Sequence, residues 1–196
     1  MLFVQRKERN RLECLIAFRS GWLGALFFCL GFLTASASEW DMQADSSSVR
    51  FIGVQEGSAF RGRFEDFSAM VSFDPASFDK GRIVGSVQVE SVNSGDQERD
   101  STLLDQEWFD PGTYPVSQFE SDQIQKLEDG TFQAHGQLTL RGVTNPVTMD
   151  FSFETSDSGA QLSGSFEIRR LDFGVGWPAT NWVDDEVSIQ VELDLR

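Results

Sequence analysis

From Val49 to Leu195 apolar side chains return at every second position in one stretch after another. A chain with that spacing folds into strands with one buried and one solvated face. Val49, Phe51 and Gly53 share a parity, as do Phe60, Gly62 and Phe64, while Arg50, Arg61 and Arg63 fall on the other. Phe67, Ala69, Val71 and Phe73 follow, then Ile83, Gly85, Val87 and Val89. Further on, Phe132 to Leu140, Val147 to Phe153, Leu162 to Ile168 and Val187 to Leu195 alternate in the same way. Asp74-Pro75, Asp79-Lys80-Gly81, Asp129-Gly130, Asn145-Pro146 and Ser158-Gly159 are turn signals between the stretches, and successive strands joined by short turns, about eight of them here, pair antiparallel. One segment departs from the pattern. From Asp96 to Phe109 the residues Leu103, Leu104 and Trp108 have helical spacing, Ser94-x-x-Gln97 reads as a capping box, and Asp110-Pro111-Gly112 is a stop. The expectation is an all-β domain, an antiparallel sheet of about eight strands closed into a barrel or folded into a sandwich, with one helix of roughly three turns.

The strands begin after a leader. Arg6, Lys7, Arg9, Arg11 and Arg19 precede an apolar run from Gly21 to Leu33, which leads into Ala35-Ser36-Ala37. Basic, apolar and small residues in that order spell a secretory signal over residues 1–37, cleaved after Ala37; an anchor left uncleaved is the alternative. The apolar run falls short of the about 20 residues a membrane-crossing helix needs. Both cysteines, Cys14 and Cys29, lie within this leader, so the remaining chain is expected to reach an oxidising compartment without a thiol, which excludes disulfides, thiolate catalysis and Cys-bound metals together. Residues 38–196 suffice for one domain. The whole chain carries 31 acidic against 16 basic residues, and losing the basic leader makes the balance more acidic still. Such a surface repels nucleic acid.

Phenylalanine is abundant, at 18 residues against 5 Trp and 1 Tyr, and Gly53, Gly62, Gly85, Gly136 and Gly164 interleave with the rings on the apolar parity. Two fillings follow from this. Rings and glycines can interdigitate into a solid core, or the glycines can leave lengthwise grooves between the rings. Catalytic constellations are sparse. His135 belongs to the polar parity with Gln133, Gln137 and Thr139; nucleophile-elbow, zinc-protease, phosphate-loop and EF-hand patterns do not occur. The acid runs Asp96 to Asp100 and Asp184-Asp185-Glu186 read as solvated, and the inward parity holds no carboxylate. No catalytic or metal-binding residue is assigned, and the chain is read as a binding protein rather than an enzyme.

Specific strings carry a resemblance beyond periodicity. Phe60-x-Gly62-x-Phe64-x-x-Phe67, Phe73-Asp74-Pro75, Ser91-Val92-Asn93-Ser94-Gly95, Arg99-Asp100-x-x-Leu103, Trp108-Phe109-Asp110, Tyr114-Pro115-x-x-x-Phe119, Gly136-x-Leu138-Thr139-Leu140-Arg141-Gly142-Val143-Thr144-x-Pro146-Val147 and Asp172-Phe173-Gly174-Val175-Gly176 occur in this order. Together they resemble the YceI-like family of polyisoprenoid-binding proteins over essentially all of the chain after the leader. The resemblance implies a lipocalin-like antiparallel barrel with a short helix near its mouth. It also implies an apolar tunnel for a polyprenyl chain or isoprenoid quinone, with that lipid as ligand and no other cofactor. A periplasmic address and a homodimer are further implications. Glu56-Gly57-Ser58 and the stretch from Gly176 to Trp182 resemble the branch associated with membrane b-type cytochromes, which implies transient contact with a membrane redox protein as an alternative role. The residues expected to line the tunnel are Phe51, Phe60, Phe64, Phe73, Val87, Val89, Phe119, Leu138, Phe151 and Phe166, with Trp108 and Phe109 near the mouth. Many relatives carry a histidine soon after the first strand begins; Gln55 and Glu56 stand there in this chain. Arg99 is either a headgroup contact or a helix residue paired to Asp96 or Asp100.

Overall fold

Turn chemistry and strand length set the ladder. The computed structural model describes residues 38–177 and 182–196; the leader expected over residues 1–37 lies outside the described residues. Among these the strands are β1 (Glu39–Asp41), β2 (Ser48–Gln55), β3 (Ser58–Phe64), β4 (Phe67–Ser72), β5 (Arg82–Gln88), β6 (Val92–Asn93), β7 (Val116–Lys126), β8 (Phe132–Leu140), β9 (Val143–Ser156), β10 (Gly159–Arg169) and β11 (Glu186–Leu195), with one α-helix, α1 (Gln97–Leu103). Every pairing is antiparallel. Two hairpins turn on a residue and a glycine that both have positive φ, Glu56 (50°) with Gly57 (76°) and Arg141 (49°) with Gly142 (74°). Their twist matches that of the flanking strands. Gly142 is doubly constrained, because a Cβ there would lie 2.6 Å from the Tyr114 ring.

The eleven strands form one sheet in the order β1-β4-β5-β7-β8-β9-β10-β11-β2-β3-β6. Successive strands β3 and β4 stand near opposite ends of that ladder, yet only Glu65 and Asp66 link them. That short link forces the ends of the sheet together and curls it. Ser91 staples the seam: its Oγ accepts from the Glu65 N–H (3.1 Å) and the Asp66 N–H (3.0 Å), while Gln88 N–H donates to Asp66 O (2.9 Å).

The strand count exceeds the expected eight for physical reasons. β1 and β6 are too short to display alternation. In β7 the inward positions include Ser117 and Ser121, both buried. These hydroxyls are satisfied, Ser117 Oγ donating to Thr139 O (2.9 Å) and Ser121 Oγ accepting from the Ile83 N–H (2.8 Å). A register break between Ser121 and Gln123 then moves the inward parity to Ile124. Polar inward residues and a bulge together erase the apolar signature. The helix is also shorter than expected. α1 has two turns, and its N-cap is Asp96, whose carboxylate accepts from the Glu98 (3.0 Å) and Arg99 (3.1 Å) N–H groups. Ser94 does not cap it; the Ser94 N–H donates to Asp100 Oδ1 (2.7 Å). Residues 104–109 continue as hydrogen-bonded turns, with Phe109 N–H donating to Leu103 O (3.0 Å).

Inside the curl the apolar residues divide into two zones. At one end Phe73, Phe132, Phe151 and Phe153 meet, with ring centroids 4.8 to 5.4 Å apart, and Trp40 and Phe78 close in from the side. Nearer α1 the sheet surrounds a hollow.

Candidate functional site

The hollow is a chamber whose wall comes from nine of the strands. Its floor is Ile83, Met149, Leu162 and Leu193, all buried. Its sides include Phe51, Phe64, Val87, Phe119, Leu138, Phe166 and Ile189. Phe60, Leu103, Trp108, Phe109, Val175 and Val183 ring its mouth. The chamber is a cavity of about 150 Å³, small for walls that come from nine strands, and therefore narrow. Among the described residues no carboxylate, histidine or thiol lines it, and no cluster of three or more His, Cys, Asp or Glu side chains is placed to hold a metal. His135 lies on the outer face, its Nδ1 2.9 Å from Thr148 Oγ1.

Nine of the twelve residues expected to line a tunnel do line this chamber: Phe51, Phe60, Phe64, Val87, Trp108, Phe109, Phe119, Leu138 and Phe166. Phe73, Val89 and Phe151 do not. Phe73 and Phe151 belong to the aromatic plug beneath the floor. Val89 falls past the end of β5, in a 3-10 turn (Val89–Ser91) that carries the chain over the seam to β6, so the strand's parity no longer applies to it. It is buried all the same, its N–H donating to Pro115 O (2.9 Å).

The glycines work differently from the grooves expected of them. Phe51 pairs with Gly62 and Phe60 with Gly53 across β2 and β3, and each ring lies down over its glycine, in the space a Cβ would need. At Gly136 the Glu120 carbonyl (2.2 Å from a Cβ) and then the Phe119 ring (2.8 Å) take the space, and at Gly164 the Met149 side chain does. Only Gly85 of these five leaves room: the nearest atom to a Cβ there would be the Ser68 carbonyl oxygen, at 4.0 Å. Beside it Ala69 is its cross-strand partner. Ring tips tucked over glycines, and two small residues side by side, keep the middle of the chamber clear.

Arg170 has no counterpart in the sequence reading. It follows β10, is 3% exposed, and its guanidinium donates to the carbonyls of Asp184 (3.0 Å), Val175 (2.7 Å) and Val183 (2.6 Å). Its plane lies over the Trp108 ring at 5.3 Å. Burial pulls its pKa below the ordinary value, opposed by the charges of Asp185 and Asp184. One buried cation thus ties the segment after β10, the residues leading into β11 and the turn bearing Trp108 into a rim. Gly176 serves this knot, since a Cβ on it would fall 2.6 Å from Arg170 Nη1 and 2.9 Å from the Trp108 ring. Beside Arg170, burial pushes the Asp185 carboxyl up, but the Leu171 N–H (2.9 Å) and Arg169 Nε (2.8 Å) outweigh it and hold its pKa below the usual carboxylate range.

Outside the mouth is a second, wider space of about 330 Å³, lined by polar residues as well as by Phe60, Leu103 and Trp108. Arg99 stands in it. Its Nε donates to Gln55 Oε1 (3.1 Å) and its Nη1 to Ser94 Oγ (3.3 Å), and its plane covers the Phe60 ring at 4.4 Å. Asp96 lies 3.8 Å from Nη2, so the ion pair is loose.

A chamber of this form, in a curled antiparallel sheet with a short helix at its mouth, has relatives. The model of the YceI-like domain matches residues 40–195. The chain belongs to the YceI-like family. A UPF0312 protein of Vibrio cholerae is 28% identical over 166 residues, covering 80% of this chain and 88% of that one. One from Azotobacter vinelandii is 30% identical over 138 residues, 66% of this chain and 72% of its own. Among solved structures, Burkholderia cenocepacia BcnA superposes with a TM-score of 0.76 at 30% identity, over 79% of this chain and 99% of BcnA. A domain from Saccharophagus degradans, described as polyisoprenoid binding, superposes with a TM-score of 0.62 over 82% of this chain and 98% of that domain. At 14% identity it shares the fold. The all-β, lipocalin-like class expected for this YceI-like chain therefore holds.

Proposed function

We propose that this YceI-like protein is exported to the periplasm, loses its leader, and there sequesters or carries a long isoprenoid lipid with the tail in the chamber. The observation that carries this reading is the chamber's form: narrow, almost wholly apolar with Ser68, Ser86, Ser117 and Arg170 as its polar lining residues, closed at one end by aromatic rings and open at the other into a polar vestibule. A slender hydrocarbon with one polar end matches both halves. The description of the Saccharophagus domain as polyisoprenoid binding supports the chemical class. Each buried CH₂ contributes about 0.8 kcal/mol, so a few isoprene units exceed the association cost of about 4–15 kcal/mol. Affinity then comes easily, and selectivity rests with tail length and with the polar end.

Native mass spectrometry of the protein exported by a Gram-negative host, followed by lipid extraction, tests the reading. The expected result is a chain beginning at Ser38 that carries one isoprenoid lipid. Protein recovered empty, and refusing isoprenoid lipid offered in detergent, would overturn it.

A further inference from the structure

One flank of the sheet has the wrong sign for this chain. Arg50, Arg61 and Arg63 are exposed on the outer face of β2 and β3, in a chain of 31 acidic against 16 basic residues. Arg50 stands directly opposite Arg63, and Arg61 opposite Ile52. Like charges placed opposite each other weaken a strand pair, so the fold gains nothing from this arrangement. Among the described residues only Arg63 of the three has a carboxylate partner, Glu65 at 2.8 Å, and both members of that pair are more than half exposed. On the next strand, β11, the residues in register are uncharged: Ser188 faces Ile52 and Gln190 faces Arg50. The β2–β3 hairpin turns at Glu56 and Gly57, where the Glu56 N–H donates to the Trp182 carbonyl (2.7 Å). Trp182 lines the vestibule outside the chamber's mouth and is 56% exposed.

Size and chemistry decide between a protein and a bilayer as the partner of this flank. Three strands wide and about 15 Å long, it covers about 200 Å², against about 800 Å² per partner in a stable protein–protein interface. An anionic bilayer needs no such area, because each arginine beside it strengthens association by about fivefold on its own. Tryptophan is at home at the boundary between hydrocarbon and headgroups, and Trp182 stands at the end of the flank nearest the mouth. An anionic bilayer repels the acidic remainder of the surface, which leaves the hairpin as the side that approaches.

We propose that the outer face of the β2–β3 hairpin docks on a bilayer containing anionic phospholipid, with Arg50, Arg61 and Arg63 on the phosphates and Trp182 at the interface. Docked in this way, the molecule holds its mouth beside the lipid phase. The inference goes beyond the isoprenoid reading and is tested without it.

The test is co-sedimentation of the exported protein with isoprenoid-free vesicles of phosphatidylcholine, with and without phosphatidylglycerol. The protein should associate at least about tenfold more strongly with the anionic vesicles and should leave them at high salt. Arg50→Ser with Arg61→Ser should weaken that association by about 30-fold, fivefold for each charge, while the denaturant midpoint stays level or rises, since the repulsion of Arg63 is gone. Arg82→Ser with Lys126→Ser removes the same charge from β5 and β7 and should change association by less than about twofold, distant charges being screened. Trp182→Ser should weaken it several-fold. Equal association with both kinds of vesicle, or equal weakening by the two double variants, would overturn the proposal. So would indifference to every vesicle, and retention on immobilised poly-glutamate through Arg50 and Arg61 would then put an acidic protein in the bilayer's place. Uptake of isoprenoid lipid from detergent by the Arg50/Arg61 variant should match the parent, so either reading fails without the other.

Discussion

The plug and the chamber are built from the same kind of residue, phenylalanine on the inward parity of neighbouring strands, and they end in opposite states. In the plug Phe132 pairs directly with Phe151 across β8 and β9. Neither ring has an empty wall to lie against, so both project inward and meet Phe73 from across the curl at 5.0 and 5.4 Å. In the chamber Phe51 and Phe60 each face a glycine and lie down over it. A ring's partner on the next strand, more than the ring itself, decides whether the interior is solid or hollow. The glycine makes room by accepting a neighbour's ring, not by leaving a gap of its own.

Three substitutions test this contrast. The largest effect belongs to Phe73→Ala, which removes the most enclosed ring of the plug and should cost about 3–5 kcal/mol of stability, read from the denaturant midpoint. The same change opens the floor, so the variant should accept longer tails than the parent; a loss below about 1 kcal/mol would mean that the plug is not packed as a core. Next is Gly85→Leu. Its Cβ would meet nothing closer than the Ser68 carbonyl oxygen at 4.0 Å, and the side chain should reduce affinity for an isoprenoid lipid by at least about tenfold with the unfolding midpoint nearly unchanged. Undiminished binding would place the lipid elsewhere. Gly62→Ala comes third. Its methyl would overlap the outer end of the Phe51 ring, lifting that ring into the chamber; binding should weaken several-fold, with a stability cost of about 1–3 kcal/mol. Stability loss without any change in binding would show that the ring moves some other way.

The smallest effect is a matter of pH and touches the mouth alone. The Arg99 N–H, with the Glu98 N–H and the Arg99 charge, holds the Asp96 carboxyl below its ordinary pKa. A depressed carboxylate stabilises the folded state at pH above its unfolded value, and that contribution is lost as pH falls through the folded value. Acidification through that window should therefore lower the protection of the Glu98 and Arg99 amides, exchange being taken relative to the intrinsic rate at each pH, before it affects amides of the plug. Simultaneous loosening of both ends would mean that α1 and the plug open as one unit.

Much of this was legible in the alternation. The faces of β2 to β5 and of β8 to β11 follow from parity, and most of the chamber's wall follows from the faces. Hidden features share a cause: they depend on what lies across space rather than along the chain. β7 was concealed because Ser117 and Ser121 stand where apolar residues belong, each satisfied by a neighbouring strand's backbone. Val89 was misplaced because the strand ends one residue earlier, where the chain turns to cross the seam. Parity also could not separate Phe73 and Phe151 from Phe51, since all point inward and only cross-strand neighbours distinguish plug from wall. Arg170 left a faint trace, the pair Gly174 and Gly176, both at positive φ, in a string whose purpose shows only when the guanidinium and Trp108 are in place.

The two outermost strands carry a last consequence. β1 has three residues and β6 has two, so the outermost strands themselves offer very short runs of unpaired amides and carbonyls, while β3 and β4 extend past them. Long bare borders recruit strands from other molecules, and stubs of this length give such a strand little to pair with.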